Sequence, residues 1–365
     1  MYKIHAKIVS MKIAMVAGGS GGHIYPAVSL AKELEKRGHE VTFIGANDRM
    51  EKDVIPTYGF KFIGLDTKTT KGGLVQKVSS LLSMRKSYIE CKKILKDNYD
   101  LVMGFGNYIS VPVIMAASKL KIKVVLHEQN SFVGRANRML DKKADLIITS
   151  YEESNKQFKN PNIITLGNPQ SSVAAKVTKD QNVLKELNLD LNKKTVLIFM
   201  GSLGSESIMN VMLDYFKLLD TNIDYQIVYA TGVRHYDKVK DLKFKNVHIF
   251  DKVDGINVMA NSDLLVSRAG ATTLAEITAL GMPSILIPSP YVPNNHQYHN
   301  AMALVDKKAA LMIEEKDLDA FKLKELIEKT LNDESKLKDL SLKSRMLSND
   351  NVVDDIIDRL ENLWK

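Results

Sequence analysis

What most limits the fold of this chain is a rhythm that runs through it twice: a short apolar run, a glycine-rich turn, an amphipathic helix and another short apolar run. Parallel strands need a long crossover between them, and a helix supplies it, so the alternation predicts doubly wound parallel sheets. The first pass opens at Lys12–Ala17 (KIAMVA) and turns at Gly18–Gly22. A helix with Ala27, Leu30, Ala31 and Leu34 on one face then closes at Gly38, and a strand follows at Val41–Ile44. Further strands are predicted at Phe60–Ile63, Leu101–Met103, Lys123–His127 and Leu146–Thr149, with helices at Leu74–Leu95 and Pro112–Leu120. From Lys194 the pattern restarts, with a strand at Thr195–Met200, a helix at Glu206–Leu219, a strand at Gln226–Ala230 and strands near Val247, Leu264 and Ile285.

The expected division is an extension over residues 1–10, with Met11 a candidate start, a first α/β domain over 11–170 and a second over 171–350. Gly167-Asn168-Pro169 breaks the pattern between them. Residues 351–365 read as an amphipathic helix (Val353, Ile356, Ile357, Leu360, Leu363) that suits packing on its own domain or back on the first. The apolar share, 45% of 365 residues, is enough for two buried cores. A lone cysteine, Cys91, excludes an internal disulfide, and the absence of a cationic and apolar leader makes a cytosolic protein the expectation. Two uncharged runs, Leu101–Ser118 and Ile277–Gln297, are interrupted by glycine, asparagine or proline and are not expected to span a membrane. The net charge of +8 admits nucleic acid, an anionic membrane or phosphorylated ligands.

Ligands of open parallel sheets bind beyond the carboxyl ends of the strands, so chemistry is expected in the residues that follow them. Gly18-Gly19-Ser20-Gly21-Gly22-His23 joins a strand to a helix and would bring backbone N–H groups close to a ligand. It fits neither the dinucleotide fingerprint nor a Walker loop, since no third glycine stands at Ile24 and no Gly-Lys-Ser/Thr follows. His23 is placed to act as a general base, against the plainer role of a surface or capping histidine. Gly104–Ser110, with Tyr108, and His127-Glu128-Gln129-Asn130 follow two more strands; capping of a helix at Val133–Leu140 is the alternative for Asn130. In the second half, Gly201-Ser202-Leu203-Gly204-Ser205 offers amides and a hydroxyl to phosphate. Ser267–Glu276 (SRAGATTLAE) ends a strand and opens a helix whose amides suit an anion and whose Glu276 suits sugar hydroxyls. Gln297 and Asn300 follow the proline-rich Pro288–Pro293 and suit sugar recognition. No metal-ligand spacing is present, and Asp317-Leu318-Asp319 reads as helix capping.

Six motifs in order, GGSGGH at 18–23, GFGNYISVP at 104–112, HEQN at 127–130, GSLGS at 201–205, SRAGATTLAE at 267–276 and NHQYHNA at 295–301, resemble the MurG family of peptidoglycan N-acetylglucosaminyltransferases. The resemblance covers nearly all the chain from Met11. It implies a GT-B fold, two Rossmann-like domains facing a central cleft, that transfers N-acetylglucosamine from UDP-N-acetylglucosamine to the muramyl 4-hydroxyl of lipid I. The product is lipid II, formed with inversion and with neither metal nor cofactor. It would set Ser20, Gly21, Gly22 and Asn130 beside the donor, Ser202 on its phosphates, Val253 near the uracil, Ala271, Thr272 and Thr273 at the helix end, Glu276 on the ribose and Gln297 on the sugar. His23, Tyr108 and Glu128 would be the catalytic set on the acceptor side. Three departures stand out: Met200 for a glycine, Asn107 for a glycine, and Gln170-Ser171 where an arginine is expected, with Arg268 a candidate replacement as donor contact. The other functions kept open are a diacylglycerol glycosyltransferase, a UDP-sugar epimerase, a nicotinamide-dependent oxidoreductase and a non-catalytic UDP-sugar binder.

Between Thr67 and Lys93 lies a basic stretch (Lys68, Lys71, Lys77, Arg85, Lys86, Lys92, Lys93) interleaved with Leu74, Val78, Leu81 and Leu82. That pattern suits an anionic phospholipid surface, and an ordinary helix packed on the sheet is the alternative. The expected location is therefore the cytoplasmic side of the cell membrane, as a peripheral protein. No motif supports nucleic acid, and the resemblance adds other cell-wall synthesis and division proteins as candidate partners.

Overall fold

The computed structural model describes residues 10–66, 74–96, 98–201, 204–219 and 223–364, and along 74–82 the backbone alone. Seven parallel strands make the first sheet: β1 (Lys12–Val16), β2 (Glu40–Ala46), β3 (Lys61–Leu65), β4 (Leu101–Gly104), β5 (Lys123–Glu128), β6 (Leu146–Thr149) and β7 (Ile163–Thr165), in the order β3-β2-β1-β4-β5-β6-β7. Six make the second: β8 (Lys194–Phe199), β9 (Tyr225–Ala230), β10 (Val247–Phe250), β11 (Leu264–Ser267), β12 (Ser284–Leu286) and β13 (Leu311–Met312), in the order β10-β9-β8-β11-β12-β13. Every pairing between these strands is parallel, as the doubly wound pattern requires. The chain divides into two units, Met1–Gln170 with Asn351–Lys365, and Ser171–Asp350.

In the first unit the two faces of the sheet bury separate cores. On one, Ile13 and Met15 of β1 pack with Leu30 and Leu34 of the helix Gly21–Lys36 and with Val353, Ile356, Ile357 and Leu360 of the terminal helix Val352–Trp364, all buried. The terminal helix is tied down at its rim, where Arg37 donates to Asp354 (2.6 Å) and Asp358 (2.9 Å). Beside it, His39 Nδ1 accepts the Met11 N–H while Nε2 lies 3.3 Å from Glu361. On the other face Ala14, Val16, Val102, Ile114 and Leu126 enclose Cys91, whose thiol burial pushes up to about 12, leaving it protonated and inert. In the second unit Val196, Ile198, Met212, Phe216 and Ile327 form the core, with Phe216 stacked edge-on to Tyr229 at 5.3 Å.

Several elements differ from the sequence expectation. The short edge strands β7 and β13, of three and two residues, carry too few positions for a period to show. The helix Glu51–Thr57, about two turns long with Pro56 inside it, has no counterpart in the sequence expectation. The helix expected at Val133–Leu140 starts at Arg135, behind Gly134. Leu101–Ser118 divides into β4 and the helix Ser110–Lys119, and no helix among the described residues is long and apolar enough to cross a membrane.

Because Ile356 is wholly enclosed, Ile356→Ala is expected to destabilise the first unit by about 2–5 kcal/mol, measured as a lower denaturation midpoint.

Candidate active site

In a doubly wound sheet the loops at the carboxyl ends of two neighbouring strands part where the strand order reverses, and the gap admits a ligand. The reversals fall between β1 and β4 in the first unit and between β8 and β11 in the second. Four of the six sequence motifs lie immediately after these four strands.

After β1, the Gly18-Gly19 peptide is held from two directions. Asn107 Nδ2 donates to the Gly18 carbonyl (2.7 Å), and the Gly19 N–H donates to Glu51 Oε2 (2.9 Å). Ser20, in extended conformation, begins the helix Gly21–Lys36, and its hydroxyl lies 3.1 Å from His23 Nδ1. The opposite ring edge rests over Gly106, where a Cβ would stand 3.4 Å from His23 Nε2. Asn107 takes a left-handed φ of 66°, which asparagine tolerates and glycine adopts freely, so the departure from glycine keeps the backbone while adding the Gly18 bond. The Tyr108 N–H donates to Asn107 Oδ1 (2.5 Å), and the Tyr108 hydroxyl is buried with no hydrogen-bond partner among the described residues.

Glu128, at the end of β5, is buried, with each carboxylate oxygen taking two donors. Oε1 accepts from Asn130 N (3.0 Å) and Nδ2 (3.1 Å), and Oε2 from Gly134 N and Asn137 Nδ2 (both 3.0 Å). Desolvation raises its pKa and the four donors oppose that rise. Proton abstraction would have to compete with these bonds, so the geometry favours Glu128 as an organiser of its loop over the catalytic role that the resemblance implies. Asn130 does not cap the next helix; its amide serves Glu128, which receives the Gly134 N–H. Neighbouring His127 is fully buried, stacks on Phe105 at 5.3 Å and donates from Nε2 to the Gly167 carbonyl (3.1 Å). Burial lowers its pKa to about 4, so it stays neutral.

In the second unit Ser202 lies outside the described residues. Gly204 is left-handed (φ 71°), and a Cβ there would meet the Thr231 carbonyl at 2.0 Å, so no other residue fits. Met200 packs into the core. After β11, the helix Ala271–Leu280 begins at Gly270 with no side-chain cap, bringing Thr272 and Thr273 into its first turn and the buried Glu276 one turn on. Arg268 donates to the Ile287 carbonyl (3.1 Å), Ser205 (2.7 Å) and Ser207 (3.3 Å), and lies 2.7 Å from Glu315 Oε2. With its guanidinium committed in this way and only 7% of the residue exposed, it serves as an internal tie, a role other than the donor contact for which the sequence makes it a candidate. Gln170 instead accepts from Ser29 (3.0 Å) inside the first unit. Gln297 accepts the Ser289 N–H (2.8 Å), tethering the proline-rich loop; Asn300 is buried and donates to the Ala269 carbonyl (3.3 Å). Val253 is half-buried just before the helix Gly255–Ala260. Asp319 caps a helix by accepting the Lys322 N–H (2.9 Å), as its sequence position suggested. The described residues contain no group of three His, Cys, Asp or Glu side chains fit for a metal.

Of the membrane stretch, the helix Leu74–Leu95 is present, with Arg85 and Lys86 exposed; the side chains of Leu74, Val78, Leu81 and Leu82 lie outside the described residues. Sequence reasoning missed Glu51 and Asn137. Glu51 reaches back from the helix after β2 to the Gly19 and Ala46 N–H groups.

Two α/β units, each with loops and a helix N-terminus gathered at the switch point of a doubly wound sheet, make this a GT-B glycosyltransferase fold. Residues 13–149 match the model of the glycosyltransferase family 28 N-terminal domain and residues 195–360 that of its C-terminal domain, so the chain belongs to glycosyltransferase family 28. It is 37% identical, over 97% of its length and 100% of the relative's, to the UDP-N-acetylglucosamine--N-acetylmuramyl-(pentapeptide) pyrophosphoryl-undecaprenol N-acetylglucosamine transferase of Halothermothrix orenii. It is 38% identical to a Bacillus cereus transferase of the same description, over 97% and 100%. The crystal structure of Acinetobacter baumannii MurG superimposes with a TM-score of 0.78 at 23% identity, covering 96% of this chain and 99% of that one.

Replacing Arg268 with methionine leaves Glu315 without its cation and is expected to cost about 3–5 kcal/mol in chemical denaturation. A loss of UDP-sugar affinity at unchanged stability would instead restore Arg268 as a donor contact.

Proposed function

We propose that this chain transfers N-acetylglucosamine from UDP-N-acetylglucosamine to the muramyl 4-hydroxyl of lipid I, giving lipid II with inversion. One observation carries the reading: relatives 36–38% identical, aligned over 97% of the chain, are transferases of that donor and that undecaprenol-linked acceptor. The site geometry supports a division of labour. In the tautomer that carries its proton on Nδ1, beside the Ser20 hydroxyl, His23 Nε2 takes the acceptor's hydroxyl proton as its oxygen attacks the anomeric carbon. The bond to UDP breaks with its electron pair on the β-phosphate oxygen. The N-terminal turn of the helix Ala271–Leu280, at Ala271, Thr272 and Thr273, takes up that charge with the loop after β8. Glu276 holds the ribose, Gln297 the transferred sugar, and Val253 the uracil. Gly21, Gly22 and Asn130 line the donor, Tyr108 offers its buried hydroxyl to the acceptor, and Glu128 keeps the 128–134 loop in place.

UDP release from UDP-N-acetylglucosamine is expected only when a lipid I analogue is added, with an N-acetylglucosaminylated lipid as product. Absence of turnover with a competent acceptor, or an epimerised sugar, overturns the reading. His23→Ala is expected to lower kcat by about 100- to 10,000-fold with donor affinity little changed. An equal loss in both would make His23 structural.

The polyprenyl acceptor and the exposed Arg85 and Lys86 support a peripheral position on the cytoplasmic face of the membrane. Replacing both basic residues with serine is expected to weaken binding to anionic vesicles by about 2 kcal/mol, or roughly 30-fold. Unchanged co-sedimentation argues against that surface.

A further inference from the structure

We propose that Glu51 is a positioning residue for His23, acting through the Gly18-Gly19 peptide; the proposal rests on His23 being the base. Both polar atoms of that peptide are bound by side chains from other elements: the carbonyl by Asn107 and the N–H by Glu51. Glu51 is fully buried, and its second oxygen accepts the Ala46 N–H (3.1 Å) at the end of β2. One carboxylate therefore ties the glycine loop to the sheet, through bonds that its charge makes stronger than neutral ones. The two glycines are matched to this clamp. A Cβ on Gly18 would stand 2.2 Å from Glu51 Oε1, and one on Gly19, whose φ is +81°, would stand 2.0 Å from Asn107 Nδ2. These two positions are glycine because side chains close on the peptide, a different reason from the ligand approach that the sequence suggested. The next residue, Ser20, starts the helix and touches the His23 ring, so the peptide's orientation sets where the imidazole stands.

A double-mutant cycle in the full chain tests this, with turnover on a lipid I analogue and donor Kd by calorimetry. Glu51→Gln puts an amide where two N–H donors need acceptors and is expected to lower kcat by about 100-fold. Donor Kd should move by less than about 3-fold, because the loss is confined to the transition state. In the His23→Ala background the same substitution should cost less than about 2-fold, since both act through one group. An equal cost in both backgrounds, or a matching loss of donor affinity, overturns the clamp's role and leaves Glu51 structural. If His23→Ala turns over at the parent rate, the catalytic reading fails and takes the proposal with it, an outcome distinct from the first. If Glu51→Gln does not unfold cooperatively, Asn107→Gly carries the cycle, since glycine accepts that φ without strain. A smaller loss that vanishes beside His23→Ala supports the clamp, and one that persists there refutes it.

Discussion

A parallel sheet cannot fill both sides of the point where its strand order reverses, and in this protein everything that faces a ligand depends on that. β1 and β4, and again β8 and β11, are neighbours whose following loops lead away to opposite faces. The backbone there leaves the ladder with N–H and C=O groups still to satisfy. In the first unit the protein satisfies them with side chains from neighbouring loops; in the second the first amides of the helix Ala271–Leu280 stand there, behind Gly270. Those amides carry the partial positive charge that suits a departing nucleotide diphosphate.

Holding such loops still requires polar groups where water does not reach. Glu51, Glu128 and Arg268 are each buried, and each is matched with several partners. A buried charge missing its partners costs several kcal/mol, so each of these is strongly coupled to the loop conformation that satisfies it. Around the site, these ionisable side chains thus serve as braces. A sequence records only that an acid or a base is present, which makes a brace and a ligand contact look alike. Arg268 and Glu128 are the two instances here.

The strands were legible because a parallel sheet buries both faces, so runs such as Lys12–Val16 and Thr195–Phe199 are nearly all apolar and end abruptly at glycine. β7 and β13 were not, because two or three residues carry no period. Of the site, the loops were legible from glycines after strands, and His23 from its place behind them. Glu51 was hidden because its bonds go to Gly19 and Ala46, residues that no local pattern connects to it.

The order of elements, the parallel class and the location of chemistry in loops that follow strands were all determined by the sequence alone, since each rests on local periodicity and on where glycine falls. Partnership was decided only in three dimensions. The terminal helix carries an apolar face that fits either unit, and it lies on the first because β1, the first helix and Arg37 offer it both an uncovered core and a matching cation. Asn107 keeps the backbone of a glycine while bonding a carbonyl 89 positions away, and Glu128 takes the donors expected of a helix cap. Hydrogen bonds of that length in sequence depend on which loops the sheet order brings side by side.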